Sequence, residues 1–356
     1  MEIASGRIVG AGKPHEERRP ASSDEREEIM KRFGRRGVLA STAALLGMPA
    51  APIRAQNAFP RGPIRLLVGF SAGGTADVAA RLLAEKLRER TGATVTIDNK
   101  PGAGGVIATE AVTKMPPDGN AIVLAAMSST VMAKLTYARL PYDPMTDLAP
   151  VSLVSTFPLV LAITPSLPVD SIETFVAWAK GNPALTSYGV PALGAHSHFF
   201  GLMLGKAIGV DMQVVPYKGS APMIADLSAG QIKVGVTGLF DFYSSYKAGK
   251  VRLLATSGRE RSLSAPELPT FVESGYPDLV GEGWMGLYAP PQTPLPITSA
   301  LSAEISAILA LPDVRDRIIT TGMEPRATTP AGLAEFDNLE FKKWQPVVVA
   351  SGFKVE

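Results

Sequence analysis

Pro63-Ile64-Arg65-Leu66-Leu67-Val68-Gly69-Phe70-Ser71-Ala72-Gly73-Gly74-Thr75-Ala76-Asp77-Val78-Ala79-Ala80-Arg81 is the stretch on which the fold turns. Residues 64–70 are an apolar run broken by Arg65, as expected of a strand buried on both faces. Thr75 can cap a helix that runs to about Arg90, with Ala79, Leu82, Leu83 and Leu87 on one side. A strand's carboxyl end thus meets a helix's amino end across small residues. Unpaired backbone N–H groups and the positive end of the helix dipole point at one place there, and small side chains let a ligand approach the backbone. This predicts an anion site made by the N–H groups of residues 72–75, with no Lys or Arg from Phe70 to Asp77. Asp77, an acceptor at neutral pH, is expected to satisfy loop or helix N–H groups rather than touch the anion. The P-loop Lys and the G-x-G-x-x-G order are missing, which disfavours nucleotide phosphate.

Outward from this stretch the alternation continues. Residues 94–98 predict a second strand, 104–114 a helix and 121–126 a third strand, with Pro116-Pro117-Asp118-Gly119 as a turn. The order βαβαβ argues for a parallel, doubly wound sheet with right-handed crossovers. The pattern restarts with strands at 159–164, 187–190, 213–215, 233–236 and 251–256, and helices at 172–180, 199–208 and 222–229. Past 284–288 it is helical, at 297–309, 314–321 and 333–344, with Pro294, Pro312 and Pro330 near the helix starts. Two α/β lobes follow, with a helical C-terminal segment packed back on the first.

Composition narrows the chemistry. The chain has 356 residues, no Cys and three His, which excludes disulfides, thiolate nucleophiles and thiolate metal sites. The net charge is +2, but ten of the 35 Lys and Arg and seven of the 33 Asp and Glu precede residue 56, so the remainder is nearly neutral. Nucleic acid is not an expected partner. Lys31-Arg32-Phe33-Gly34-Arg35-Arg36, followed by a weakly apolar dozen residues, has the pattern of a cleavable secretion signal ending near Ala55. Arg35-Arg36 with Val38 and Leu39 after it suggests the twin-arginine route to the periplasm, and Met30 is a candidate true start.

Several motifs compete for the site. Gly69-Phe70-Ser71-Ala72-Gly73 is a G-x-S-x-G between strand and helix, the context of a hydrolase nucleophile, which makes a secreted serine hydrolase using Ser71 the alternative reading. It follows the first strand rather than a later one, and no late His accompanies it. Asn99-Lys100-Pro101-Gly102-Ala103-Gly104-Gly105 is read as a structural turn. His196 and His198 lack a third metal ligand and are expected to cap or hydrogen-bond, with no cofactor. Ser128-Ser129-Thr130 follows the third strand, at the edge where open α/β sheets bind ligands. Phe240, Phe242, Tyr243 and Tyr246 read as core.

Together these segments resemble one family along nearly the whole chain after the signal, the periplasmic solute-binding proteins of tripartite tricarboxylate transporters, or Bug-type receptors. The likeness is carried by residues 63–81 and 99–105, Pro117-Asp118-Gly119 and Leu140-Pro141-Tyr142-Asp143-Pro144. Further on come Val215-Pro216-Tyr217-Lys218-Gly219-Ser220-Ala221-Pro222, Lys247-Ala248-Gly249-Lys250, Pro269-Thr270 and Trp284-Met285-Gly286-Leu287-Tyr288-Ala289-Pro290. The resemblance implies a two-lobed, type II periplasmic-binding-protein-like α/β fold, each lobe a doubly wound, mainly parallel sheet with flanking helices. It puts 1–55 in the leader, 56–158 and 280–356 in lobe 1, and 159–279 in lobe 2. It implies a monomer that binds a small organic carboxylate between the lobes and delivers it to membrane subunits, or presents it to a sensor. By the same likeness the pocket comprises Phe70, Ser71, Ala72, Gly73, Gly74, Thr75, Asp77, Ser128 and Ser129, with Gly194, Ala195, His196 and Asp241 from the second lobe. Ser71, Ala192 and Ala195 depart from the family pattern, which expects Pro, Gly and Ser there.

Overall fold

A computed structural model describes residues 59–60 and 62–355, so the signal and start-site expectations lie outside the described residues. In chain order the elements are β1 (Ile64–Val68), α1 (Thr75–Thr91), β2 (Val95–Asn99), α2 (Val106–Thr113), β3 (Ala121–Ala126), α3 (Val131–Thr136) and β4 (Ala149–Ile163). Then come α4 (Ile172–Gly181), β5 (Ser187–Val190), α5 (His196–Ile208), β6 (Gln213–Pro216), α6 (Ser220–Ser228), β7 (Val234–Gly238), α7 (Leu239–Lys247) and β8 (Arg252–Thr256). The last are β9 (Glu282–Ala289), α8 (Leu295–Leu309), α9 (Pro312–Ile319), β10 (Glu324–Pro325) and α10 (Pro330–Ser351).

The strands form one sheet in the order β2-β1-β3-β9-β4-β7-β5-β6, with β8 and β10 added on β4. The expectation of mainly parallel sheets needs correction. Among the ten strands, parallel pairing joins only β1 with β2 and β3, and β5 with β6 and β7, where βα units repeat locally. Every pairing made by β4 or β9 is antiparallel. These two strands carry the chain out of the first half and back into it, so no local crossover fixes their direction. β4 belongs to both halves: residues 149–158 pair with β9, and 159–163 with β7 and β8.

That register positions the site. β3 and β4 run the same way, both against β9, and Ala126 at the end of β3 pairs with Met285, which pairs with Ser155. From the other direction β7 ends at Gly238, opposite Leu159. β1 is parallel to β3 and β5 to β7. The carboxyl ends of four strands therefore approach residues 155–159 of β4 from opposite sides, where open α/β sheets place ligands.

The core follows the strand faces. Ile64, Leu66 and Val68 meet Ala79, Ala80 and Leu83 of α1 on one side, and Leu67 joins the other. On that other side a continuous cluster extends from Leu67 and Val123 through Leu159 and Phe199 to Trp284 and Trp344. Full burial of a Leu, Val or Phe side chain contributes about 1.5–3 kcal/mol, so this shared cluster ties the halves together. α10 continues past Trp344 to Ser351 through Pro346, beyond the expected end. It packs on α3, β4 and α5, and so spans both halves instead of the first alone. A hydroxyl pins the crossing point: the Leu159 N–H donates to Ser257 Oγ at 2.8 Å, and Ser257 Oγ donates to the Gly281 carbonyl.

Candidate functional site

The β1–α1 loop is built around Asp77. Its carboxylate, 2% exposed, accepts from the Gly73 N–H at 2.8 Å, Arg81 Nε at 2.8 Å and Asn99 Nδ2 at 3.0 Å. Hydrogen bonding by Arg81, Gly73 and Asn99 lowers its pKa to about 2 against the opposing effect of burial. Asp77 thus holds the loop, as its acceptor-only chemistry led one to expect. The helix begins one residue earlier in role than expected, because Gly74 is its N-cap and Thr75 its first residue. Gly73 adopts φ +81°, a conformation that suits glycine. Two of the four N–H groups assigned to the anion turn inward: Gly73's to Asp77, and Gly74's to the Ser71 carbonyl at 3.3 Å. The N–H groups of Ala72, Thr75 and Ala76 have no partner among the described residues. Ser71, Ala72, Gly73 and Gly74 are exposed, Phe70 and Thr75 half-buried.

The 99–105 turn forms a wall between this loop and the one after β3. Asn99 Nδ2 also donates to the Phe70 carbonyl at 3.0 Å. A Cβ on Gly69 would lie 2.5 Å from Gly105 Cα, and one on Gly105 would lie 3.3 Å from the Ser129 side chain. Ser128 Oγ donates to the Gly104 carbonyl at 2.6 Å. Ser129 is fully buried; its hydroxyl donates to the Ala126 carbonyl and accepts from Thr109, and its carbonyl accepts from Tyr142. Ser129 thus braces the loop, and half-buried Ser128 lies nearer the opening.

The second half brings its residues to the same stretch of β4. Asp241, in the first turn of α7, accepts from Ser220 Oγ at 2.8 Å and Thr237 Oγ1 at 2.6 Å, and burial pushes its pKa up. Ala195 is the N-cap of α5 and lacks a side-chain cap. The Gly194 N–H donates to His198 Nδ1 at 3.3 Å, which gives His198 the hydrogen-bonding role read for it. His196 lies edge-on to Phe157, ring centroids 5.8 Å apart, and Phe157 in turn packs on Phe240 at 4.8 Å. Phe70 and Phe240 pack against the cluster that contains Phe157. Phe157 therefore marks the floor where both sets of loops meet, and it went unread because its stretch of β4 carries no strand signal.

No His partner or other base engages the Ser71 hydroxyl among the described residues, and the two imidazoles are committed to packing or to Gly194. A sheet in two halves, with loops from four strand ends gathered at one point and free backbone donors among them, suits the binding of a small anionic solute. The chain belongs to the tripartite tricarboxylate transporter family receptors (TctC), whose description matches residues 79–353. Protein BugT of Bordetella pertussis is 33% identical over 321 residues, 90% of this chain and 97% of that one. Among solved structures, Rpa4515 of R. palustris with adipate has a TM-score of 0.74 at 33% identity, covering 83% of this chain and 99% of that one. MatC of Rhodopseudomonas palustris with bound malate has a TM-score of 0.70 at 28% identity, covering 82% of this chain and all of that one.

Proposed function

We propose that this chain is a periplasmic receptor that takes a small organic carboxylate between its halves and delivers it to the membrane subunits of a tripartite transporter. The observation that carries the reading is the set of free N–H groups at Ala72, Thr75 and Ala76, held by Asp77 at the point where four strand ends converge. A carboxylate placed there receives charge-assisted hydrogen bonds from the backbone and the favourable end of the α1 dipole. Adipate and malate in the relatives support the ligand class. Lobe 1 comprises 56–158 and 280–356 and lobe 2 comprises 159–279, since β4 changes partners at 158 to 159 and β9 starts at Glu282. The Arg35-Arg36 signal exports the protein, which acts as a monomer. A thermal-shift screen of organic acids tests the function: an acid at 100 times its Kd should raise stability by about 2.7 kcal/mol. A screen of mono-, di- and tricarboxylates with no shift would overturn it.

A further inference from the structure

His196 is out of keeping with its surroundings. Both ring nitrogens are sealed from solvent and neither has a hydrogen-bond partner. Such a group costs about 1–3 kcal/mol relative to an apolar side chain of similar shape, so packing alone does not account for a histidine here. Space has been cleared for it: a Cβ on Gly283 would lie 2.7 Å from His196 Nε2 and 2.3 Å from the Phe157 ring. His196 opens α5, in the second half, whereas Phe157 and Gly283 pair with each other on the first-half side of the crossing point. The contact therefore bridges the two parts that must separate if a ligand is to enter.

We propose that His196 is the closure contact of the receptor: it seats against Phe157 and Gly283 when the halves come together, gives up its water in doing so, and releases the contact when it takes a proton. The proposal rests on the receptor reading above and adds a residue and a control to it. The charged groups around the ring give it no counter-ion. Lys343 of α10 acts on it as a like charge and, with burial as the larger cause, holds its pKa down to about 4. His198 is itself lowered by burial, with its Nδ1 taken by Gly194. Glu282 sits beside Gly283, but alternation along β9 turns its side chain to the opposite face. Asp241 is engaged by Ser220 and Thr237. An open form returns the imidazole to water and to a pKa near 6.5. Closure then binds fewer protons than opening, so the closed form keeps the ring neutral well below its ordinary range and gives way to the open form once the ring is protonated.

The chain has three histidines, so imidazole NMR can follow His196 directly, identified as the resonance lost in His196→Leu. Expected is an imidazole that stays neutral to below about pH 5 while small-angle scattering shows the particle expanding as it protonates. His196→Leu should abolish that expansion, and Gly283→Ala, which crowds the seat, should expand the protein already at pH 7.5. An imidazole titrating near 6.5, no change of size on protonation, or the same expansion in His196→Leu would each overturn the proposal. Adipate and malate at pH 7.5 and 4.5 form a separate arm. A greater loss of binding at pH 4.5 in the wild type than in His196→Leu supports the coupling, and equal loss in both refutes it. If a full acid panel fails to bind at pH 7.5, the receptor reading falls while the imidazole titration still decides the contact.

Discussion

Thr75→Pro separates the anion-binding role of the β1–α1 loop from its structural role. Thr75 is the first residue of α1, and its N–H has no internal partner, so proline there deletes no bond of the fold. The preceding Gly74 has φ −76° and ψ 169°, the extended conformation that a residue before proline requires. Stability should therefore hold, or rise by about 0.4–1 kcal/mol because the unfolded chain loses freedom. Binding should not hold. A hydrogen bond to a charged group contributes about 1.5–3 kcal/mol, so affinity should fall roughly 10- to 150-fold. Thr75→Val, which keeps the N–H and loses the hydroxyl, is the control. Calorimetric titration with the acid that gives the largest thermal shift measures the loss, and scanning calorimetry confirms the fold. A folded Thr75→Pro protein with wild-type affinity would remove this N–H from the site. The same exchange at Gly74 is a poorer probe, because it breaks the bond to Ser71 and forces Gly73 at φ +81° into the position before a proline.

Three further outcomes are expected. Ser71→Ala should change affinity by less than about tenfold, or 1.4 kcal/mol, and a fluorophosphonate should leave Ser71 unlabelled; covalent labelling would bring back the hydrolase. Asp337 of α10 is 5% exposed and accepts from the Tyr288 hydroxyl, and burial raises its pKa from 3.8 to about 7. Its contribution is fully present below pH 3.8 and is lost as pH rises to 7, so Asp337→Asn should melt several degrees above the wild type at pH 8, with the difference vanishing near pH 4; an equal gap at both pH values would refute this. N-terminal sequencing of exported protein should begin near Gln56, and a chain started at Met30 should export as well as the full one; recovery of residues 1–29 in the periplasm would contradict both.

The first half was legible from residue order because its signals are local. The 64–70 run, the small-residue loop and the Ala- and Leu-bearing face of α1 each carry their own periodicity, and the resulting elements stand within a residue or two of expectation. The first ten residues of β4 were not legible. Pro150, Ser152, Ser155, Thr156 and Pro158 interrupt any apolar strand pattern, yet Ser152 and Ser155 are fully buried in a strand. The prolines are tolerated where the ladder is irregular: Pro150 at a register shift, Pro158 where β4 passes from β9 to β7 and β8. The helix at Leu239–Lys247 was also missed, its aromatic residues having been read only as core. Within the site, Asp77 showed in its spacing from the loop, but Asn99, 22 residues on, and Phe157 acquire their parts through pairings across the sheet. Ser129 is held in the same way, through bonds from Thr109 and Tyr142, 20 and 13 residues away.

The strand shared by the two halves also sets what kind of joint this molecule has. Fifteen residues of extended chain reach about 50 Å, and β4 is paired along nearly all of that length, on both edges at 155–156 and 160–163. With Ser257 fastening Leu159 to the returning Gly281 backbone, the crossing strands cannot slide past one another without breaking buried bonds. Such a joint behaves as a leaf spring: it bends and twists as a sheet does, stores elastic energy as it does so, and returns without melting. If the halves part for a ligand as proposed, this joint, more than any loop, is what must flex.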